Sequence, residues 1–273
     1  MTINCKGKLI DISSPKVMGI LNITPDSFFD GGSYKNETDI LQKVEKMLSE
    51  GATFIDVGAY SSRPGAMHIS EEEELQRIVP IIKLLVHHYP EIIISVDTFR
   101  SAVAKKTVEA GAAIINDISG GKMDVNMFKT VADLQVPYII MHMLGTPQSM
   151  QKNPKYEDLT KEVISFFAEQ LAKLHQLKVN DVLIDVGFGF GKTIEHNYEL
   201  LKNLALFKNL DSPILVGISR KSMLYKPLEI TAQLALNATT SANTIALLNG
   251  ANILRVHDVK EAMEAIKIVE QLS

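Results

Sequence analysis

Cysteine is nearly absent from this chain. Cys5 is the only one in 273 residues, which excludes an internal disulfide framework and suits a reducing compartment. No apolar run reaches the roughly 18 residues needed to cross a bilayer. The opening stretch MTINCKGKLIDISSPK also lacks the apolar segment of a secretion signal. The expected location is therefore cytoplasmic, with no membrane partner. An excess of positive charge is missing too: 28 Lys and Arg stand against 32 Asp and Glu, a net charge of −4. That excludes a broad basic surface for nucleic acid but not a local basic pocket. There is no HExxH, no cysteine cluster and no Ser-His-Asp order in a supporting context, so neither a zinc site nor an acyl-enzyme site is expected.

What is present is a series of short apolar runs, each ending in a polar residue. VMGIL runs into Asn22, FI into Asp56, IIISV into Asp97 and AAII into Asn116. PYIIM ends at His142, VLI at Asp185, ILVGI at Ser219 and NIL at Arg255. Amphipathic stretches separate most of these runs. Continuous apolar runs, rather than alternation, suit parallel strands buried on both faces. Eight of them predict an α/β chain folded as a (β/α)8 TIM barrel, whose active site is built at the C-terminal strand ends. Residues 1–14 read as a short N-terminal hairpin over the opposite mouth. Helices are expected over 38–50, 71–89, 100–110, 126–134, 159–177, 195–205, 230–249 and 260–272. Ser70 and Glu73 have capping-box spacing for the second of these. The stretch 144–154 reads as a surface loop. With no linker or low-complexity tract, residues 1–273 read as one domain.

The strand-end residues converge on one face if this reading holds. Asp97, Asp185 and Asn116 together form a donor and acceptor array suited to a flat polar heterocycle, since a carboxylate can accept two parallel N–H bonds. Taken singly, Asp97 could instead cap the helix that follows it. Arg63, Lys221, Arg255 and His257 follow strands two, seven and eight, where barrels often hold phosphate. The alternative for each is solvated surface charge. Asn22 opens the long loop TPDSFFDGG, whose length suits a lid. Its amide oxygen with phosphate oxygens would suit Mg²⁺, which needs few protein ligands, although a plain turn before Pro25 explains it equally well. GFGFGKT is not a phosphate loop, because the required glycine at 186 is Val186. It reads either as a floor for a bound ring or as a flexible turn. His142 reads equally well as a packed core residue, and His87-His88 as surface.

The segments MGILNITPDSFFDGG, DVGAYSSRPGA, SVDTFR, INDISGG, MHMLGTPQSMQ, DVGFGFGKT, LVGISRKSM and ILRVHDV, in this order, resemble the dihydropteroate synthase family. The resemblance implies a pterin-binding barrel that joins 6-hydroxymethyl-7,8-dihydropterin diphosphate to 4-aminobenzoate and is a sulfonamide target. It implies that Asp97, Asn116, Asp185, Lys221 and Met141 bind the pterin, and that Ser62, Arg63, Arg255 and His257 hold the diphosphate, with Mg²⁺ on Asn22. Phe28, Pro64, Phe190 and Ser219 would line the aminobenzoate pocket, and Asp97, Lys221 and Asp30 would serve the chemistry. A homodimer through the last helices is also implied. Three positions depart from the family pattern: Ser62 for threonine, Tyr60 for glutamate, which removes any role of that carboxylate, and Val186 for proline. The competing readings are a methyltetrahydrofolate:corrinoid methyltransferase barrel and an inactive pterin-binding scaffold.

Overall fold

The computed structural model describes residues 1–23, 34–61, 68–150 and 153–272. An antiparallel hairpin, β1 (Thr2–Cys5) and β2 (Lys8–Asp11), comes first. The barrel strands are β3 (Lys16–Asn22), β4 (Phe54–Gly58), β5 (Ile94–Asp97) and β6 (Ile114–Asp117). They continue as β7 (Tyr138–Met141), β8 (Val182–Asp185), β9 (Ile214–Val216) and β10 (Ile253–Val256). All eight are parallel and in sequence order, and β10 closes on β3. The expected barrel and hairpin are both present.

Side chains alternate across each strand, so one parity faces the helices and the other faces the barrel axis. Val17, Ile55, Val57, Ile115, Ile140, Ile184 and Val216 belong to the outer layer, packed beneath the helices. Met18, Phe54, Ile114, Ile139, Leu183, Leu215 and Ile253 point inward and meet Ile3, Ile10 and Ile12 from the hairpin. The hairpin thus plugs the N-terminal mouth with apolar side chains. Further along the same inward parity come Asn22, Asp56, Asp97, Asn116, Met141, Asp185, Ser219 and Arg255. A one-residue slip would turn any of these away from the axis. His142 and Asp117 have the opposite parity.

The helices are α1 (Tyr34–Ser49), α2 (Glu71–His88), α3 (Ser101–Glu109), α4 (Met127–Leu134) and α5 (Leu159–Gln176). Then follow α6 (Ile194–Lys202), the short α7 (Ser222–Tyr225), α8 (Leu236–Leu248) and α9 (Val259–Glu270). Two 3-10 segments, Leu204–Leu210 and Ala232–Leu234, were not anticipated, and the expected helix over 230–249 is broken near its start. Only half of the expected capping box forms. Ser70 Oγ accepts from Glu73 N at 3.2 Å, but the Glu73 carboxylate pairs forward with Arg77. A complete box occurs instead at Thr193, where His196 takes the place of the usual acid.

Candidate active site

At the C-terminal end of the barrel lies a cavity of about 920 Å³. Asn22, Asp97, Asn116, Met141 and Asp185 line its floor. Phe190, Ser219, Lys221, Arg255 and His257 line its walls and mouth. Every site residue expected from the sequence and lying within the described residues is therefore brought together here. Phe28, Asp30, Ser62, Arg63 and Pro64 lie outside the described residues.

Register explains the convergence. Asn22 pairs with Gly58, Gly58 with Asp97, and Asp97 with Asn116, so these residues form one level across four strands. Two glycines keep that level open. A Cβ on Gly58 would stand 3.7 Å from both Asn22 Oδ1 and Asp97 Oδ2. A Cβ on Gly217 would stand 3.7 Å from Asp185 Oδ2 and 3.9 Å from Arg255 Cβ. Any side chain there would occupy the space into which these polar groups project. The sequence reading passed over both glycines, although each lies at an inward strand end.

A hydrogen-bond network sets the polarity of the floor. Arg255 Nε donates to Asp56 Oδ2 at 2.6 Å, and its Nη2 donates to Asp97 Oδ2 at 3.1 Å. Asn116 Nδ2 also donates to Asp56 Oδ2, at 3.1 Å. That bond fixes the Asn116 amide with its oxygen as the acceptor offered to the cavity. Asp185 Oδ1 accepts from Gly187 N at 2.8 Å, leaving Oδ2 toward the space above Gly217. Lys221 Nζ donates to Phe188 O and lies 4.6 Å from the centre of the Phe190 ring. At the rim, Ser219 Oγ and His257 Nδ1 are 3.0 Å apart.

Burial perturbs these groups. It pushes Asp97 up to about 7, opposed first by the Arg255 guanidinium. It pulls Lys221 down to about 8, opposed first by Asp185. Asp185 is raised for the same reason, with Lys221 the largest opposing influence. Perturbed acids and bases at the closed end of a cleft mark a place for chemistry.

Asp97 does not cap α3; Ser101 N donates instead to Asp124 Oδ2 at 2.7 Å. His142 is packed, 6% exposed and turned from the cavity. His87 and His88 are exposed at the end of α2. The residue that sequence reasoning undervalued is Asp56. It ends an apolar run, but it is wholly buried and serves as the common acceptor for Arg255 and Asn116.

Residues 18–257 match the family model described as pterin binding enzyme. The chain is 43% identical over 272 residues to a dihydropteroate synthase of Escherichia coli (strain K12), covering 99% of this chain and 96% of that one. The Yersinia pestis dihydropteroate synthase in a sulfonamide drug complex superposes with a TM-score of 0.93 at 42% identity, covering 100% and 99% of the two chains. The Xanthomonas albilineans dihydropteroate synthase with 4-aminobenzoic acid superposes with a TM-score of 0.91 at 35% identity, over 99% and 97%. With the barrel, the polar floor and these likenesses in agreement along nearly its whole length, the chain belongs to the dihydropteroate synthase family of pterin binding enzymes.

Proposed function

We propose that the protein condenses 6-hydroxymethyl-7,8-dihydropterin diphosphate with 4-aminobenzoate, forming 7,8-dihydropteroate and diphosphate. The observation that carries this reading is the floor array: Asp185 Oδ2 and the Asn116 amide oxygen as fixed acceptors, beside the Asp97–Arg255 ion pair. An amino-pyrimidinone edge presents N–H donors to such an array. Identity along the whole chain favours this reading over the methyltransferase and scaffold alternatives.

In this reading the pterin lies across the floor with its ring edge on Asp185 and Asn116, and Met141 packs on it. Its methylene points to the mouth, where Arg255 and His257 meet the diphosphate; the resemblance also assigns Ser62 and Arg63 to this group, both outside the described residues. Arg255 Nη1 has no partner among the described residues and is the donor left for a phosphate oxygen. The C–O bond to the diphosphate breaks first and the electron pair leaves with the diphosphate. The cation left on the methylene is delocalised into the dihydropterin, and Asp97 stabilises it from the floor. The aminobenzoate nitrogen, held with its ring against Phe190 and near Ser219, then bonds to the methylene and releases a proton to solvent. A weak arylamine nucleophile suits this dissociative order. The resemblance gives Phe28 and Pro64 to the aminobenzoate side and Asp30 to the chemistry; all three lie outside the described residues.

Asn22 fits the role of Mg²⁺ ligand. Its amide oxygen faces the floor next to the Asp97 carboxylate, and its side chain has no hydrogen-bond partner among the described residues. No three His, Cys, Asp or Glu side chains cluster for a metal among the described residues, so substrate oxygens and water would supply the remaining ligands. When bound there, Mg²⁺ would neutralise charge on the leaving diphosphate. Exposed Ile245, Leu248 and Ile268 on α8 and α9 offer an apolar surface that a homodimer would cover; sedimentation equilibrium tests that assembly. The activity itself is tested by diphosphate release from the pterin substrate with and without 4-aminobenzoate. Release that does not depend on the amine and yields no dihydropteroate would overturn the reading.

A further inference from the structure

The DVGFGFGKT segment carries a lysine that the cavity does not use. Lys192 is 3% exposed and does not line the pocket. Its Nζ donates to His142 O at 3.1 Å, to Gly187 O at 3.0 Å and to Phe190 O at 3.0 Å. It also lies 3.0 Å from His142 Nδ1. Three of these four partners are carbonyls, which can only accept. A neutral amine has two protons and cannot satisfy them, whereas an ammonium has three. With the three ammonium protons directed at carbonyls, the imidazole Nδ1 can only share one of them; facing a cation it carries no proton of its own, so His142 is neutral with its proton on Nε2. Burial, reinforced by Lys192, pulls His142 down to about 2, in keeping with that state; burial also pulls Lys192 down to about 7, opposed by Asp185, so the ammonium is the form present below that pH.

The same turn is gripped by a second lysine. Lys221 donates to Phe188 O and lies over the Phe190 ring. Two ammonium groups thus hold three of the four carbonyls of residues 187–190. Lys192 takes those of Gly187 and Phe190, and Lys221 takes that of Phe188. The backbone here needs such a hold. Gly187 and Gly189 have φ of +72° and +81°, and a Cβ on Gly187 would lie 2.0 Å from His142 O. The turn is therefore pressed against the end of β7 in a left-handed conformation favoured by glycine. Without Lys192, His142 O and the partly buried Phe190 O lose this donor, while Gly187 O keeps Phe190 N at 3.1 Å; a buried acceptor left unpaired costs about 1–3 kcal/mol.

We propose that Lys192 is a positioning residue for the condensation: its ammonium fixes the 187–190 turn so that Phe190 faces the cavity and Phe188 O holds Lys221 beside Asp185. The inference rests on the reading of the cavity given above. It also accounts for a motif that looks like a phosphate loop and is not one. The lysine of GFGFGKT is turned into the protein, where it binds backbone rather than a ligand.

The test is Lys192→Met, assayed with three ligands. The KM for 4-aminobenzoate and the Kd for 6-hydroxymethylpterin should each rise about tenfold or more, the effect expected when buried acceptors are left unpaired and the turn relaxes. The inhibition constant of inorganic diphosphate should stay within about twofold, because its partners lie on other strands and additivity holds for groups without shared contacts. Lys192→Gln, with two amide protons, should recover part of the loss. Equal weakening of all three ligands would mean general damage, and unchanged constants would mean no role; either result overturns the proposal. A second measurement does not depend on activity. In wild-type protein labelled with ¹⁵N at lysine Nζ, Lys192 should give a slowly exchanging ammonium signal at pH 6, assigned by its loss in Lys192→Arg. A neutral or freely exchanging Lys192 nitrogen at that pH overturns the proposal even if the enzyme has another activity. Wild type that releases no diphosphate, with the ammonium signal intact, overturns the cavity reading instead.

Discussion

Arg255 Nε and Asp56 Oδ2 lie 2.6 Å apart on the barrel floor, and the same guanidinium reaches Asp97. One cation therefore serves two carboxylates, one of them wholly buried. Arg255→Ala would leave both without that partner, a change that typically costs about 3–5 kcal/mol. The diphosphate substrate should bind more weakly because Nη1 is lost. The free hydroxymethyl pterin should also bind more weakly, because Asp97 loses its neighbour and the carboxylate shared with Asn116 loses its strongest donor. Calorimetry with both ligands, together with a thermal midpoint, checks this. A variant as stable as wild type that still binds the free pterin normally would confine Arg255 to the phosphate end.

Asp185→Asn separates binding from stability. The new amide can still accept from Gly187 N, but it then presents N–H toward the cavity where Oδ2 was. Donor against donor should weaken 6-hydroxymethylpterin binding by about 1–3 kcal/mol. Stability should not fall in parallel. The folded-state pKa of Asp185 is raised by burial, so its ionisation opposes folding above the ordinary carboxylate range, and the neutral amide removes that cost. Pterin affinity unchanged in calorimetry would take Asp185 out of the pocket.

Much of this was readable from the chain because barrel strands are short and their ends are chemically marked. Asn22, Asp97, Asn116, Asp185, Ser219 and Arg255 each end or interrupt an apolar run, and strand parity turns all of them inward. What was not readable was pairing across strands. Nothing local to Asp56 says that its carboxylate is shared by residues from β6 and β10. Gly58 and Gly217 read as ordinary strand residues until their neighbours across the sheet are known. The 3-10 segment Leu204–Leu210 and the short helix at Ser222–Tyr225 have too few residues for periodicity to show. His142 was misleading in the opposite sense: it ends a run, but it stands one residue past the inward position that Met141 fills.

Tyr60 is held by contacts from several loops. Its hydroxyl lies 3.2 Å from His68 Nδ1 and accepts from Gln148 Nε2 at 3.1 Å. Its ring meets Phe99 edge to face, with centroids 5.0 Å apart. Three βα loops are joined through this one side chain. Tyr60→Phe keeps the ring packing and removes both hydrogen bonds, at an expected cost of about 1 kcal/mol each. Hydrogen exchange should quicken around His68 and Gln148 and stay unchanged in β8. Uniform protection in the variant would show that the hydroxyl does not join the loops.

Burial lifts Asp97 to about 7 from an ordinary 3.8, with Arg255 opposing. Burial lowers Lys221 to about 8 from an ordinary 10.5, with Asp185 opposing. Both groups are charged together only in a narrow interval between these values. If the Asp97 carboxylate and the Lys221 ammonium both serve the reaction, kcat/KM for the pterin diphosphate should follow a bell with limbs near 7 and 8, which as macroscopic values belong to the interacting set. Asp97→Asn should lower the rate and abolish the acid limb. Lys221→Arg should carry the basic limb beyond the assay range. Stability should run the other way. Between 3.8 and about 7 the folded protein keeps the Asp97 proton that the unfolded chain has released, so this group's contribution falls as pH rises. Between about 8 and 10.5 the unfolded chain keeps the Lys221 proton that the folded protein has lost, so that contribution rises with pH. The pair thus contributes least to stability where it is most active. Wild-type thermal midpoints should approach those of Lys221→Met as pH rises from 8 to 10, and those of Asp97→Asn as pH falls from 7 to 5. Rates flat across pH 6–9, with midpoint differences that do not vary with pH, would show that neither group titrates in the folded protein over this range.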